Sequence, residues 1–306
     1  MSILVVGTIA YDSVQTPEGS NNHQLGGSAV YFSLSASYFS KVKMVGIVGT
    51  DFKKQDMDLL KSHGINTEGI EISDGKTFTW IGDYKKDINQ AITIDTQLNV
   101  LNNFNPNIDS IQFNSNHLFL GNFHPTLQKK ILNLMSNNLL FTALDTMNIW
   151  IENTKSELNQ LIKNVDALII NENEVKTLTN EKNYYKAAMK ILKLGPKIIV
   201  IKRGEYGATL FNENFIFSAP AFPIKRVVDP TGAGDSFAGG FMGYLDKCQE
   251  INEKTLKSAT IIGSVMASFT VEQFGTKKLS LLSKKDIYER FKKFIDLTKF
   301  NENLKI

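Results

Sequence analysis

Val227-Val228-Asp229-Pro230-Thr231-Gly232-Ala233-Gly234-Asp235-Ser236-Phe237-Ala238-Gly239-Gly240-Phe241 is the stretch on which the reading of this chain turns. It reads as a loop that feeds a helix, with an acid at the junction. Gly232 and Gly234 permit backbone conformations and close approaches that a side chain would block, and the small residues after Asp235 begin a tightly packed helix. Free N–H groups at such a helix start, helped by the positive end of the helix dipole, form an anion site fit for phosphate. Asp235 beside that site would repel a phosphate that was merely bound. General-base chemistry gives the acid a purpose: it takes the proton from an attacking hydroxyl while the amides hold the phosphoryl oxygens. Helix capping by Asp235 is the plainer reading, but it leaves the glycines before it and Gly239-Gly240 after it without a role. A dinucleotide-binding fingerprint fits less well, because Phe237 stands where a third glycine is required and the stretch lies far from the first strand.

Asp229-Pro230-Thr231-Gly232-Ala233-Gly234-Asp235-Ser236-Phe237 resembles the second signature of the ribokinase-like (PfkB) family of sugar and nucleoside kinases. The resemblance implies a ribokinase-like α/β fold, three layers α/β/α around a mostly parallel central sheet, with a small β lid. It assigns the anion hole to Gly232, Ala233 and Gly234 and the catalytic base to Asp235. It also implies ATP as phosphoryl donor with Mg2+, places Thr231 beside the nucleotide and makes Asp229 a metal-site residue.

Downstream of the signature, residues 255–269 read as a helix of small residues suited to packing under a nucleotide base, and Gly275-Thr276 lie in a loop before the final helices. In the family the resemblance points to, carbonyls from such a loop and from near Asp229 and Thr231 bind a monovalent cation such as K+.

Upstream, Lys197-Ile198-Ile199-Val200-Ile201 reads as a buried strand that ends in Lys202-Arg203-Gly204, with Gly207 opening the next run. The family's usual Thr-x-Gly at this strand end receives nucleotide phosphates. Here Lys202 stands as a point charge for them, with Gly204 and Gly207 in the nucleotide site; a solvated basic turn is the plainer alternative. Before it, residues 165–170 lead into Asn171-Glu172-Asn173-Glu174. This is a capping box, or a polar pair holding the water shell of a magnesium ion, or both. It resembles the family's Asn-x-x-Glu motif, which puts Asn171 with the nucleotide and Glu174 with the metal. The strand over 139–144 ends at Asp145-Thr146-Met147-Asn148, similar to an Asp-x-Asn segment of some sugar kinases, and Asn148 is the candidate contact there.

The βα rhythm breaks after Ile65. Residues 76–84 and 89–93 read as a hairpin joined through Lys85-Lys86-Asp87, which suits a lid above the ligand edge. Trp80 and Tyr84 share a face by alternation and are placed to stack on a ligand, or to pack within the lid or against a partner subunit, which leaves open a homodimer through the lid. The whole chain, 1–306, is expected to be one kinase domain with lid segments at about 12–24 and 74–100.

Residues 3–7 form the first strand, and Asp12 follows near its carboxyl end, the edge where open α/β sheets bind ligands. Asp12 is placed to accept hydrogen bonds from sugar hydroxyls, or is a solvated turn aspartate; it resembles the family's hydroxyl-binding aspartate. Gly26-Gly27-Ser28-Ala29 opens a helix to about Phe39 and resembles the family's first signature, with the paired glycines close to the substrate. Val30 or Tyr31 stands where an Asn is usual. The aromatics Tyr31, Phe32 and Trp80 leave room for a nucleoside base, so a sugar leads and a nucleoside, or a silent nucleotide- or sugar-binding regulator on the same fold, stays in view.

Composition narrows the classes. Hydrophobic residues are 42% and charged residues 21% of 306, ordinary for a globular protein. The formal charge of +3 is spread along the chain, which argues against nucleic acid and membrane partners. Cys248 is the sole cysteine and the four histidines lack metal-type spacing, so neither a disulfide nor a Cys/His metal cluster is expected. With no basic leader or long apolar run ahead of it, Ile3 opens the first strand, and the single cysteine makes a reducing cytoplasm the expected location.

Overall fold

Short runs such as Ile3-Leu4-Val5-Val6 and Ile198-Ile199-Val200-Ile201 are apolar at every position, the mark of strands covered on both faces. In the computed structural model, which describes residues 1–106, 115–135 and 139–299, these runs form the centre of a sheet. In chain order the strands are β1 (Ser2–Val6), β2 (Ala10–Thr16), β3 (Gly19–Gly26), β4 (Lys41–Gly49), β5 (Asn66–Ser73), β6 (Phe78–Asp83), β7 (Ile92–Gln97), β8 (His117–Leu120), β9 (Phe141–Leu144), β10 (Ala167–Asn171), β11 (Ile198–Lys202), β12 (Ala208–Asn212) and β13 (Ile216–Ala219).

Among the described residues the main sheet runs β13-β12-β11-β10-β9-β8-β1-β4-β5. It is parallel from β5 to β11 and antiparallel at β12 and β13. Alternate residues of β1 and β8 enter opposite cores: Ile3, Val5 and Phe119 on one side, Leu4, Val6, Leu118 and Leu120 on the other. Helices cover both, giving three layers, α/β/α, as the sequence resemblance implied.

The first core is closed by the helix Ala233–Cys248, wedged between the helices Ser28–Ala36 and Glu253–Thr270. A β-carbon at Gly239 would overlap the Phe32 carbonyl oxygen, and one at Gly240 would come 2.8 Å from Met266 Cγ. The glycines after Asp235 thus let three backbones approach closely. Their reason is packing, and the anion site does not need them.

A second sheet, β3-β2-β6-β7, stands apart from the first. Its β2 and β6 are parallel, while β3 and β7 pair antiparallel on the outside. Three boundaries differ from the sequence reading. Residues 66–73 belong to the main sheet as its edge strand, paired parallel to β4; an edge strand is covered on fewer sides, so its polar composition disguised it. The outer lid strand is Ile92–Gln97, later than expected, because residues 85–91 form a longer polar turn. The helix after Gly27 ends at Ala36, three residues early. Among the described residues no helix is long and apolar enough to cross a membrane.

At the opposite end of the strands from the lid, Asp246 is buried between two partners. Its Oδ1 lies 2.7 Å from His117 Nδ1, and Ser40 donates its hydroxyl to Oδ2. Burial alone would raise this carboxyl, but the His117 and Ser40 hydrogen bonds outweigh it and hold it below the ordinary range. A depressed acid contributes stability above its unfolded pKa and loses it as pH falls through the folded one. Asp246→Ala strands both partners in the core and is expected to cost about 2–4 kcal/mol at pH 7. Urea melts of the two proteins measure this, and the difference should narrow toward pH 3.

Candidate active site

The carboxyl ends of β9, β10 and β11 bring three side chains to the start of the helix Ala233–Cys248. Lys202 ends β11 and its Nζ lies 2.8 Å from Asp145 Oδ2, just past β9. That ammonium also lies 2.9 Å from where a β-carbon on Gly234 would sit, so it points at the signature loop. Burial opposes its charge, but Asp145, Glu174 and Asp235 together outweigh burial and raise its pKa. Lys202 therefore stays cationic in a buried site. Arg203 turns away, bonding Glu172 through Nε and stacking over Tyr184.

Asp235 occupies the first turn of the signature helix. Burial, then the like charge of Asp145, pushes its carboxyl up to about 7, against the opposing pull of Lys202. That is the range in which a carboxylate is a useful base near neutrality. The loop before it is held rigidly. Gly232 is left-handed at φ 73°, and its α-carbon lies so close to the Tyr31 ring that a β-carbon would overlap it. The Ala233 N–H is already bonded to the Pro230 carbonyl at 3.1 Å, whereas the Gly234 N–H has no acceptor among the described residues. Of the three amides expected to form the anion hole, that of Ala233 is thus engaged within the turn.

Asp229 holds this loop in place. Its Oδ1 accepts from Thr231 N at 2.9 Å, and its Oδ2 from Gly275 N at 2.9 Å and Gln24 Nε2 at 3.2 Å. Through these bonds the carboxylate joins the signature loop, the loop at Gly275 and β3. Glu174 accepts from Asn171 N while Asn171 Oδ1 accepts from Glu174 N, a complete capping box. Burial, followed by Asp145, raises the Glu174 carboxyl, and Lys202 offsets part of that. Among the described residues no group of three or more His, Cys, Asp or Glu side chains could hold a metal ion by itself. A small divalent ion that keeps its waters and takes phosphate oxygens needs no such cage.

The lid faces this cluster. Asp12 on β2 pairs in register with Trp80 on β6. Its carboxylate lies over Gly26, where a β-carbon would overlap Oδ2, and it accepts from the Gly27 amide. Burial, then Asp229, raises Asp12 to about 8. Gly27 is left-handed at φ 94°, with the Thr8 carbonyl against it, so both glycines of the pair have a local steric reason. Trp80 lies across Gly82, donates Nε1–H to Thr93 at 3.1 Å and meets Tyr84 edge-on. Tyr84, buried beyond β6, lies 3.4 Å from Thr231 Oγ1 through its hydroxyl and so ties the lid to the signature loop.

Asn148 is not in this cluster's contacts. It is exposed at the start of the short helix Asn148–Asn153, and Asp145 three residues earlier makes the contact with Lys202. Gly204 lies under the Asn89 side chain of the lid turn, and Gly207, at φ 87°, packs against the Ala219 carbonyl where β12 meets β13. Sequence reading placed Asp145 at a strand end without making it a partner of Lys202. Asp145 carried the same signal as Asp12, an acid just past an apolar strand.

The sequence model of the family described as pfkB family carbohydrate kinase matches residues 2–283. A cytidine kinase of Thermococcus kodakarensis is 28% identical over 262 residues, 83% of this chain and 91% of that protein. The solved structure of a Burkholderia thailandensis nucleoside kinase in complex with inosine superposes with a TM-score of 0.79 at 18% identity, covering 96% of this chain and 99% of that one. A fructokinase from Vibrio cholerae O395, bound to fructose, ADP and calcium ion, gives 0.80 at 15% identity, covering 95% and 98%.

Proposed function

The chain belongs to the pfkB family of carbohydrate kinases, and from that premise we propose that it moves the γ-phosphoryl group of ATP to an alcohol of a small sugar-like substrate held between Asp12 and Asp235. The observation that carries this reading is the convergence of Lys202, the open amide of Gly234 and the raised acid Asp235 at one helix start, across from Asp12. Asp12 and the Gly26-Gly27 turn orient the acceptor. Asp235 takes the proton of its hydroxyl as the alcohol oxygen bonds to phosphorus. The bond from the γ-phosphorus to the bridging oxygen breaks, and ADP leaves with that electron pair. Lys202 and the Gly232 and Gly234 amides offset charge on the phosphoryl oxygens. Magnesium, with Asn171 and Glu174 near its waters, supplies further charge neutralisation when bound. Carbonyls of the loops that Asp229 joins, at Thr231 and Gly275, suit a monovalent cation such as K+.

A nucleoside acceptor is the second reading. It is supported by the Trp80, Tyr84 and Tyr31 walls and by the similarity to a cytidine kinase over most of both chains. Exposed Ile92 and Ile94 on the outer strand β7 suit pairing with a second copy through the lid, and a cytoplasmic setting fits a chain that uses ATP.

ADP release measured with cytidine, inosine, ribose, fructose and inositol tests the reading. Turnover with at least one is expected. Tight ATP binding with no ADP above background from any of them would favour a silent regulator. The pH dependence adds a sharper result. Asp235 acts only when ionised, and burial has raised it, so kcat/KM should climb tenfold per pH unit below about 7 and level off above it. An acid limb near 4, where an unperturbed aspartate titrates, removes Asp235 as the base.

A further inference from the structure

Tyr31 is 1% exposed, and its hydroxyl has no hydrogen-bond partner among the described residues. Tyr31 projects from the helix Ser28–Ala36, and its ring packs against the Gly232 turn. Burial first, then the charges of Asp12, Asp229, Tyr84 and Asp235, keeps the phenol protonated and hence a hydrogen-bond donor. A buried hydroxyl with its bond unmade is a standing cost in the free protein. Phenylalanine would fill the same space without that cost.

A donor kept at a cost, beside an acid that faces the acceptor, has a use when an acceptor is there. We propose that Tyr31 is a substrate-specificity residue whose hydroxyl donates to an acceptor hydroxyl that Asp12 also holds. An alcohol oxygen accepts from the phenol while its own O–H donates to a carboxylate oxygen, so the pair satisfies both roles of one hydroxyl. The site selects for a hydroxyl at that position and against a deoxy congener, which leaves the phenol and Asp12 unpaired. Tyr84, beyond β6 of the lid, lies close enough for its charge to act on the phenol, and its own hydroxyl meets Thr231. The proposal rests on the kinase reading above and deepens it.

Tyr31→Phe removes one oxygen and tests it in two ways. In the free protein its Tm should equal or exceed that of the wild type. In turnover, for whichever of the five acceptors is phosphorylated, KM should rise about ten- to a hundredfold while the KM for ATP holds. The wild type's preference for that acceptor over its deoxy congeners should shrink by the same factor for one congener only. A Tm lower by about 3 °C or more means that the hydroxyl makes a structural bond, which overturns the proposal. An unchanged acceptor KM, or an unchanged deoxy preference, overturns it as well. No turnover by the wild type with any of the five removes the acceptor reading itself, and the proposal with it.

Discussion

Asp235→Asn lowers turnover by about two to four orders of magnitude, the range for loss of a positioned base. The substitution keeps the shape of the side chain and removes its ability to take a proton. Lys202 retains Asp145 at 2.8 Å and the Gly234 amide retains its open donor, so the phosphoryl site survives. ATP affinity should hold or rise slightly, because a negative charge facing the γ-phosphate has gone. The alternative role for Asp235 as a helix cap predicts the reverse. Asparagine caps about as well as aspartate, so turnover and stability would both stay near wild type. The structure already weakens that alternative, since the N-cap position is Gly232 and makes no side-chain cap. Stopped assays with the purified variant, beside an ATP titration, separate the outcomes. Wild-type turnover would remove the base assignment and most of the mechanism.

The parts of this molecule that were legible in its sequence are those with a local cause. The run Ile198-Ile199-Val200-Ile201 is a strand because every side chain is apolar, and the Asn171–Glu174 box is a cap because its spacing of three returns the glutamate to the first amide. The signature loop was legible because glycines and an acid in that order admit few uses. What escaped had non-local causes. The edge strand β5 looked polar because only its neighbour β4 and one face needed apolar groups. Asp145 became a site residue only when β9 and β11, separated by β10, placed it beside Lys202. The role of Asp229 depends on Gln24 and Gly275, far away on both sides in the chain. Gly239 and Gly240 were visible, but the helices they admit were not.

Gly232 and Gly234 stand two residues apart in one motif, and alanine should act differently at each. At Gly232 the backbone is left-handed, which costs an alanine about 1 kcal/mol, and the new methyl would also overlap the Tyr31 ring. Tyr31 is fully buried and anchored in the helix Ser28–Ala36, so it cannot step aside and the turn itself must give. Gly232→Ala should lose roughly 2–4 kcal/mol of stability and at least a hundredfold in turnover, because the amides leave their positions. Gly234 lies inside the helix with no left-handed requirement, where alanine is the better helix former. Its methyl meets only Lys202 Nζ, the far end of a flexible chain, at 2.9 Å. Gly234→Ala should therefore melt at or slightly above the wild-type temperature. It should still displace the ammonium from the phosphoryl site, raising the KM for ATP and lowering kcat by about tenfold. Thermal melts and steady-state kinetics on both variants decide the matter. Equal loss of stability at the two positions, or a Gly234→Ala enzyme with the wild-type KM for ATP, would show that Lys202 does not serve the phosphates from above Gly234.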